Sequence, residues 1–236
     1  MKLTKLDQYM KNETLTLGVP KGRLMKEAVA LFARSGIDIS ISKDHERSVL
    51  VPTSESDLQL CPVRSRDIPL LLEAGVLDIA IIGSDTFYEV SSLRFREKRD
   101  LDICKCRLSV IGCSRTVLNP RCAPRPRVAT KYPQIAREYF EVRGMLPEII
   151  KMNGSVEVAL LTGLAPFVVD IVSTGDTIAR NNLVELEVIR KVSAYALLGH
   201  TTLGYRRQRC NDLLDLILSP PQPTSAIDSP LTQAAL

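Results

Sequence analysis

The sequence predicts an α/β protein made of two units. Strand-like apolar runs alternate with helix-like periods along most of the chain. The order strand, helix, strand, helix occurs before about residue 95 and recurs after about residue 100. The length, 236 residues against roughly 150 per domain, suffices for two small units. With 45% hydrophobic and 25% charged residues, the composition is that of a folded chain and excludes extended disorder over most of it.

The elements follow in order. Residues 1–12 are polar and read as an N-terminal extension. Leu15, Leu17 and Val19 alternate as a strand ended by Pro20. Leu24, Ala28, Leu31 and Phe32 then share one helical face, and Gly36 stops that helix. Short strands are expected at 48–51 and 58–63. Asp67 is placed to cap a helix that tolerates Pro69 in its first turn and stops at Gly75. Residues 77–82 form a strand with one charge, Asp78, running into Gly83-Ser84-Asp85. Residues 101–112 read as two strands or one bent strand, and 113–126 as a loop rich in Cys, Pro and Arg. The pattern then repeats: strand 127–130, helix 133–142 ending at Gly144, strand 148–152, short helix 155–162 ending at Gly163, strand 167–172, a brief helix, and a half-exposed strand at 183–189. In the last helix Cys210, Leu213, Leu214 and Ile217 fall at i, i+3, i+4 and i+7. Residues 219–236 are rich in Pro and Ser and read as a disordered tail. The expected division is 13–95 plus 185–218 for the first lobe and 96–184 for the second.

Several functions are excluded at this stage. No apolar run approaches the ~18 residues of a membrane span, because Glu73, Asp78 and Asp170 interrupt the best ones. The charge balance of 31 basic and 27 acidic residues gives +4, too little to imply nucleic acid. The basic stretch from Arg115 to Lys131 lacks interleaved aromatics, so no nucleic-acid partner is expected. The N-terminus has no apolar leader segment, which implies a cytoplasmic chain with six reduced cysteines. Neither a Cys-x-x-Cys pair nor a Gly-x-Ser-x-Gly elbow is present. There are only two histidines, His45 and His200, and with no such elbow a Ser-His-Asp hydrolase is not expected.

Four loops each follow a strand and open a helix, where ligands bind in α/β sheets. The sharpest is Ser173-Thr174-Gly175-Asp176-Thr177. The strand before it delivers Asp170, which could hold ribose hydroxyls or Mg²⁺. The glycine lets backbone N–H groups approach a phosphate, and Thr174 and Thr177 supply hydroxyl donors. A plain N-capped turn is the competing reading. Lys21 and Arg23 oppose the dipole of the helix they precede, a cost that a bound anion would offset. Arg64 stands before the next helix, suited to bidentate phosphate contact. Asp85 either caps its helix or lines the cleft, and Glu157 is either a cleft carboxylate or a surface charge.

Long motifs in a fixed order now carry a resemblance. They are P-K-G-R-L at 20–24, R-S-R-D-I-P at 64–69, G-V-L-D-I-A-I-I-G-S-D at 75–85, V-A-T-K-Y-P at 128–133, N-G-S-V-E at 153–157 and V-D-I-V-S-T-G-D-T at 169–177. From about 15 to about 215 the chain resembles the catalytic subunit of the ATP phosphoribosyltransferase family in its short form. The resemblance implies two α/β lobes around a cleft, similar to type II periplasmic binding proteins. It implies joining of ATP, through adenine N1, to C1 of 5-phosphoribosyl 1-pyrophosphate with loss of Mg²⁺-bound pyrophosphate, the first step of histidine biosynthesis. Thr174, Gly175, Asp176 and Thr177 would hold the ribose 5-phosphate, with Asp170 near the ribose hydroxyls. Lys21, Arg23 and Arg64 would face ATP and pyrophosphate. A homodimer within a hetero-oligomer is implied, with a regulatory partner resembling histidyl-tRNA synthetase. The chain departs from the family pattern at Ser173, where an acidic residue is usual, at Pro166, and at His200, a position often Asn. The alternatives are a non-catalytic two-lobed protein that closes around a small anion and, given Ser173, a regulatory paralogue.

Overall fold

The computed structural model describes residues 14–39, 49–90 and 93–219. The N-terminal extension, His45, the start of the 48–51 strand and nearly all of the tail lie outside them.

Two mixed sheets organise the chain. The first has the strand order β2-β3-β1-β4-β11-β5: β1 (Leu15–Pro20), β2 (Val51–Pro52), β3 (Leu58–Val63), β4 (Ile79–Gly83), β5 (Phe95–Asp100) and β11 (Ala194–Gly199). The second has the order β10-β6-β9-β7-β8: β6 (Cys106–Cys113), β7 (Arg127–Thr130), β8 (Glu148–Lys151), β9 (Phe167–Val172) and β10 (Leu183–Val192). The helices are α1 (Arg23–Arg34), α2 (Ile68–Glu73), α3 (Ser84–Glu89), α4 (Pro133–Val142), α5 (Val158–Leu161), α6 (Asp176–Arg180) and α7 (Gly204–Leu218).

Alternation puts each sheet between two apolar layers. Ile79 and Ile81 face α1 and α7, while Ala80 and Ile82 face α2. In the second sheet Val128, Phe167 and Val169 pack under α4, and Ala129 and Val168 pack toward α5. The last helix buries the four residues its spacing marked, Cys210, Leu213, Leu214 and Ile217. Gly36, Gly75, Gly144 and Gly163 all follow helices with positive φ, the backbone state that a helix stop needs.

Four expectations are corrected. Asp67 makes no side-chain cap; it closes a single 3-10 turn (Ser65–Asp67) ahead of α2. Of residues 101–112, only Cys106–Cys113 forms a strand, preceded by an irregular crossover in which Asp102 and Cys104 adopt φ of 55°. Two strands went unread, β5 and β11. The lobe boundaries move as a consequence. Phe95–Asp100 pairs with β11 in the first sheet, and Leu183–Val192 pairs with β6 in the second. The chain therefore crosses between sheets at 101–105 and at Ser193, not at 95/96 and 184/185.

Ion pairs made by Arg206, Arg209 and Asp215 tie α7 to its sheet. Arg206 grips Asp78, whose side chain is 5% exposed. Arg209 bonds Asp57 at 2.8 Å and Glu55 at 2.8 Å, across more than 150 residues of sequence. The Arg209 guanidinium holds the Asp57 carboxyl below the usual carboxylate range. A depressed folded pKa adds stability above the unfolded value of about 3.9, and that stability is lost as pH falls through the folded pKa. Arg209→Ala is therefore expected to lower the thermal midpoint at pH 7, with the difference from wild type shrinking below about pH 3. Thermal melts at both pH values check this.

Candidate functional site between the lobes

Parallel pairing aligns the carboxyl ends of the strands that matter. β1 runs parallel to β3 and β4, and β7 runs parallel to β8 and β9. The loops after β1, β3 and β4 therefore share one rim, and those after β7, β8 and β9 share another. Side chains from the two rims meet. The Arg23 guanidinium donates to Ser173 Oγ at 2.6 Å. The Tyr132 hydroxyl donates to Asp85 Oδ2 at 2.7 Å. Each contact joins the start of a helix that follows a strand of the first sheet to a strand-end loop of the second, so the two rims face each other across a cleft between the lobes.

On the first rim, Lys21 is exposed and its side chain has no partner among the described residues, while its backbone N–H donates to the Val63 carbonyl at 3.2 Å. Gly22 has φ 103° and ψ −141°, a region open to glycine and strained for any L side chain. The turn thereby delivers Arg23 to the first position of α1. Glu27, one turn on, accepts from Arg23 Nε at 2.7 Å and raises the guanidinium pKa further. The other Glu27 oxygen accepts the Cys104 N–H at 2.6 Å, so this carboxylate ties Arg23 to the first crossover. Arg64 is exposed directly after β3, with no side-chain partner among the described residues. Asp85 does not cap α3; it turns instead to Tyr132.

On the second rim, Asp170 stands near the end of β9 with its side chain 13% exposed and Oδ1 2.9 Å from Lys131 Nζ. Lys131 and Tyr132 follow β7 directly. Thr130 fixes this corner: its hydroxyl donates to the Val169 carbonyl at 2.7 Å and accepts the Tyr132 N–H at 2.9 Å. Burial and the Asp85 carboxylate push the Tyr132 hydroxyl pKa far up, so it remains a donor. In the loop after β9, Gly175 is left-handed at φ 91°, with no atom within 4 Å of where a Cβ would sit. Thr174 Oγ1 bonds Asp176 Oδ2 at 2.9 Å, and Thr174, Asp176 and Thr177 face solvent. Glu157 sits half-buried at the start of α5, after β8, and its side chain meets none of the others.

The structure thus joins Arg23 to the Ser173 loop and Asp85 to the Lys131–Asp170 corner. Arg64 and Glu157 stand on the rims without touching them. Sequence reasoning did not assign Lys131, Tyr132, Glu27 or Glu89. Lys131 was open to discovery, since it follows a strand as Lys21 does. No nucleophile stands out. Burial raises the thiol pKa of Cys106, and burial with Glu27 raises that of Cys104 to about 12, so neither thiol is an active thiolate. His200 lies outside this set of contacts, its carbonyl accepting from Arg96 at 2.9 Å. Cations and carboxylates placed around an opening suit chemistry by positioning and charge.

Known proteins resemble this chain in sequence and in fold. A family model described as ATP phosphoribosyltransferase matches residues 64–219. The ATP phosphoribosyltransferase of Halorhodospira halophila is 37% identical over 204 residues, covering 86% of this chain and 94% of that one. This chain belongs to the ATP phosphoribosyltransferase family. Among solved structures, the ATP phosphoribosyl transferase (HisG:HisZ) complex from Thermotoga maritima superposes with a TM-score of 0.73 at 27% identity, covering 86% of this chain and 96% of that one. The periplasmic aliphatic sulphonate binding protein SsuA from Escherichia coli superposes at a TM-score of 0.56 and 9% identity, covering 86% of this chain and 71% of that one. That last likeness concerns fold alone, and it agrees with the expected two-lobed class. The family motifs lie on the rims just described: P-K-G-R-L turns out of β1, V-A-T-K-Y-P carries the Lys131 corner, and S-T-G-D-T follows β9. No described helix is long and apolar enough to cross a membrane.

Proposed function

We propose that this ATP phosphoribosyltransferase family member joins ATP to 5-phosphoribosyl 1-pyrophosphate, giving phosphoribosyl-ATP and pyrophosphate in the first step of histidine biosynthesis. The observation that best supports the reading is the meeting of the two rims at Arg23–Ser173 and Tyr132–Asp85. A two-substrate transfer needs such a cleft, with phosphate-binding elements on both sides.

Adenine N1 brings its own lone pair, so no protein nucleophile is required. A bond forms between N1 and ribose C1 while the bond from C1 to the pyrophosphate oxygen breaks, and that electron pair leaves with pyrophosphate. The left-handed turn at Gly175 suits a 5-phosphate, with the Thr174 and Thr177 hydroxyls as donors. Asp170, held by Lys131, faces the ribose hydroxyls and opposes the positive charge that builds at C1. Lys21, Arg23 and Arg64 take the phosphates of ATP and the leaving pyrophosphate. No group of three His, Cys, Asp or Glu side chains gathers among the described residues, and Asp170 already has a cation beside it. This donor set fits Mg²⁺ carried in on pyrophosphate, which needs few protein ligands. The unpaired state of all six cysteines fits a cytoplasmic setting.

The HisG:HisZ complex from Thermotoga maritima supports a hetero-oligomer; we propose that a homodimer of this chain is joined in it by a subunit resembling histidyl-tRNA synthetase that carries histidine regulation. Pyrophosphate release that requires ATP, phosphoribosyl pyrophosphate and Mg²⁺ together tests the reaction. Release without ATP would mark a hydrolase instead. Lys21→Ala is expected to raise the KM for a phosphate-bearing substrate by about ten-fold. The melting temperature should stay at the wild-type value, because this exposed side chain has no described partner. Steady-state kinetics beside a thermal melt separate the two effects.

A further inference from the structure

α4 begins with backbone donors that its own residues do not satisfy. Tyr132 stands at its cap position and makes no side-chain cap, and Pro133 has no N–H. The two free donors of the first turn belong to Gln134 and Ile135. Both are taken by one carboxylate from the other lobe: Gln134 N–H reaches Glu89 Oε1 at 3.0 Å, and Ile135 N–H reaches Glu89 Oε2 at 3.1 Å. A helix of the second lobe is therefore capped by a residue of the first, 45 positions earlier in the sequence. The negative charge also stands at the positive end of the α4 dipole.

Two more residues of α3 make the same crossing. Asp85, one turn before Glu89, takes the Tyr132 hydroxyl. Tyr88 stacks under the Arg190 guanidinium of β10, 3.8 Å from the ring centre. Ser84 is anchored at the second crossover, its N–H donating to the Ser193 carbonyl at 2.8 Å. Burial pushes the Glu89 carboxyl pKa upward, against the pull of the two N–H donors and Lys151.

We propose that Glu89 is a positioning residue: it clasps the start of α4 to α3 and so sets where the Lys131–Asp170 corner stands relative to Lys21 and Arg23. Lys131 precedes the clasped residues by only three and four positions, and Thr130 locks that corner to β9. A change in the lobe angle therefore moves the corner as a body. The kinetic consequence rests on the phosphoribosyl-transfer reading, whereas the clasp does not.

The test compares the full chain, with its regulatory partner, as wild type, Glu89→Ala and Glu89→Gln. Three quantities are read: amide hydrogen exchange at Gln134 and Ile135, the radius of gyration of the chain alone, and kcat and KM for phosphoribosyl pyrophosphate. In Glu89→Ala the two amides are expected to exchange about ten-fold faster or more, the radius of gyration to grow, and kcat/KM to fall about ten-fold. Glu89→Gln, which keeps one acceptor oxygen, should fall between, and it carries the test if the alanine variant does not fold. Tyr132→Phe cuts the neighbouring bond and should leave amide protection in place. Equal exchange in wild type and variants overturns the clasp. So do freed amides with an unchanged radius and unchanged kinetics. If the wild-type complex makes no phosphoribosyl-ATP, the transfer reading fails, and exchange and scattering alone decide the clasp.

Discussion

Asp170→Asn is expected to lower kcat by about two to three orders of magnitude, the scale on which losing one preorganised electrostatic group is felt in a buried site. Asparagine keeps the shape and the hydrogen-bonding reach of aspartate but removes the charge. Asp170 is mostly shielded from water, so its charge acts on nearby groups with little screening. On the proposed placement, the positive charge developing at ribose C1 would lose the carboxylate that opposes it, while the Lys131 cation would remain nearby. Backbone pairing of β9 with β6 and β7 does not use this side chain, so the fold should survive. The check is kcat in the presence of the proposed regulatory partner, beside a thermal melt. A kcat within two-fold of wild type would remove Asp170 from the reaction.

Asp78→Ala is expected to damage the fold instead. Asp78 lies 4% exposed at the foot of β4 and serves three elements. Its carboxylate takes the buried Thr16 N–H of β1 at 2.9 Å, and it binds Arg206 of α7 by two bonds. Its backbone carbonyl accepts the Gly199 N–H that ends β11. Alanine would strand the buried Thr16 N–H and remove the carboxylate that faces the Arg206 guanidinium. Breaking a buried pair on one side costs about 3–5 kcal/mol. At this chain length that corresponds to a fall of roughly 6–20 °C in melting temperature. Calorimetry reads it directly, and an unchanged midpoint would mean that β1, β4 and α7 hold together without this carboxylate.

The sequence was legible where its signals are local. Glycine after a helix, alternation in β1 and the i, i+3, i+4 spacing of α7 each act within a few residues, and each element formed where they marked it. The strand-end loops were legible for the same reason. What stayed hidden depends on partners far along the chain. In β5 five of six residues are charged, as suits a sheet edge facing water, and it becomes a strand only through β11, about a hundred residues later. β11 is a short apolar run that periodicity alone cannot separate from a buried helix segment. Asp67 and Asp85 looked like caps, because an acidic residue ahead of an apolar run is the local signal for one. Neither caps its helix, and the cap that α4 does have comes from Glu89 in the other lobe. The residues proposed to bind substrate were found by position after strands. Tyr132, Glu27 and Glu89, which hold the two rims and the first crossover in place, needed the tertiary structure.

The most direct measurement is chromatographic detection of phosphoribosyl-ATP from ATP, phosphoribosyl pyrophosphate and Mg²⁺, run with the chain alone and with the proposed histidyl-tRNA synthetase-like partner. The expected result is phosphoribosyl-ATP formed together with an equal amount of pyrophosphate, faster with the partner and slowed by about two to three orders of magnitude in Asp170→Asn. No phosphoribosyl-ATP in either mixture, from a chain that still binds phosphoribosyl pyrophosphate, would contradict the transferase reading and leave a binding protein built on the same two lobes.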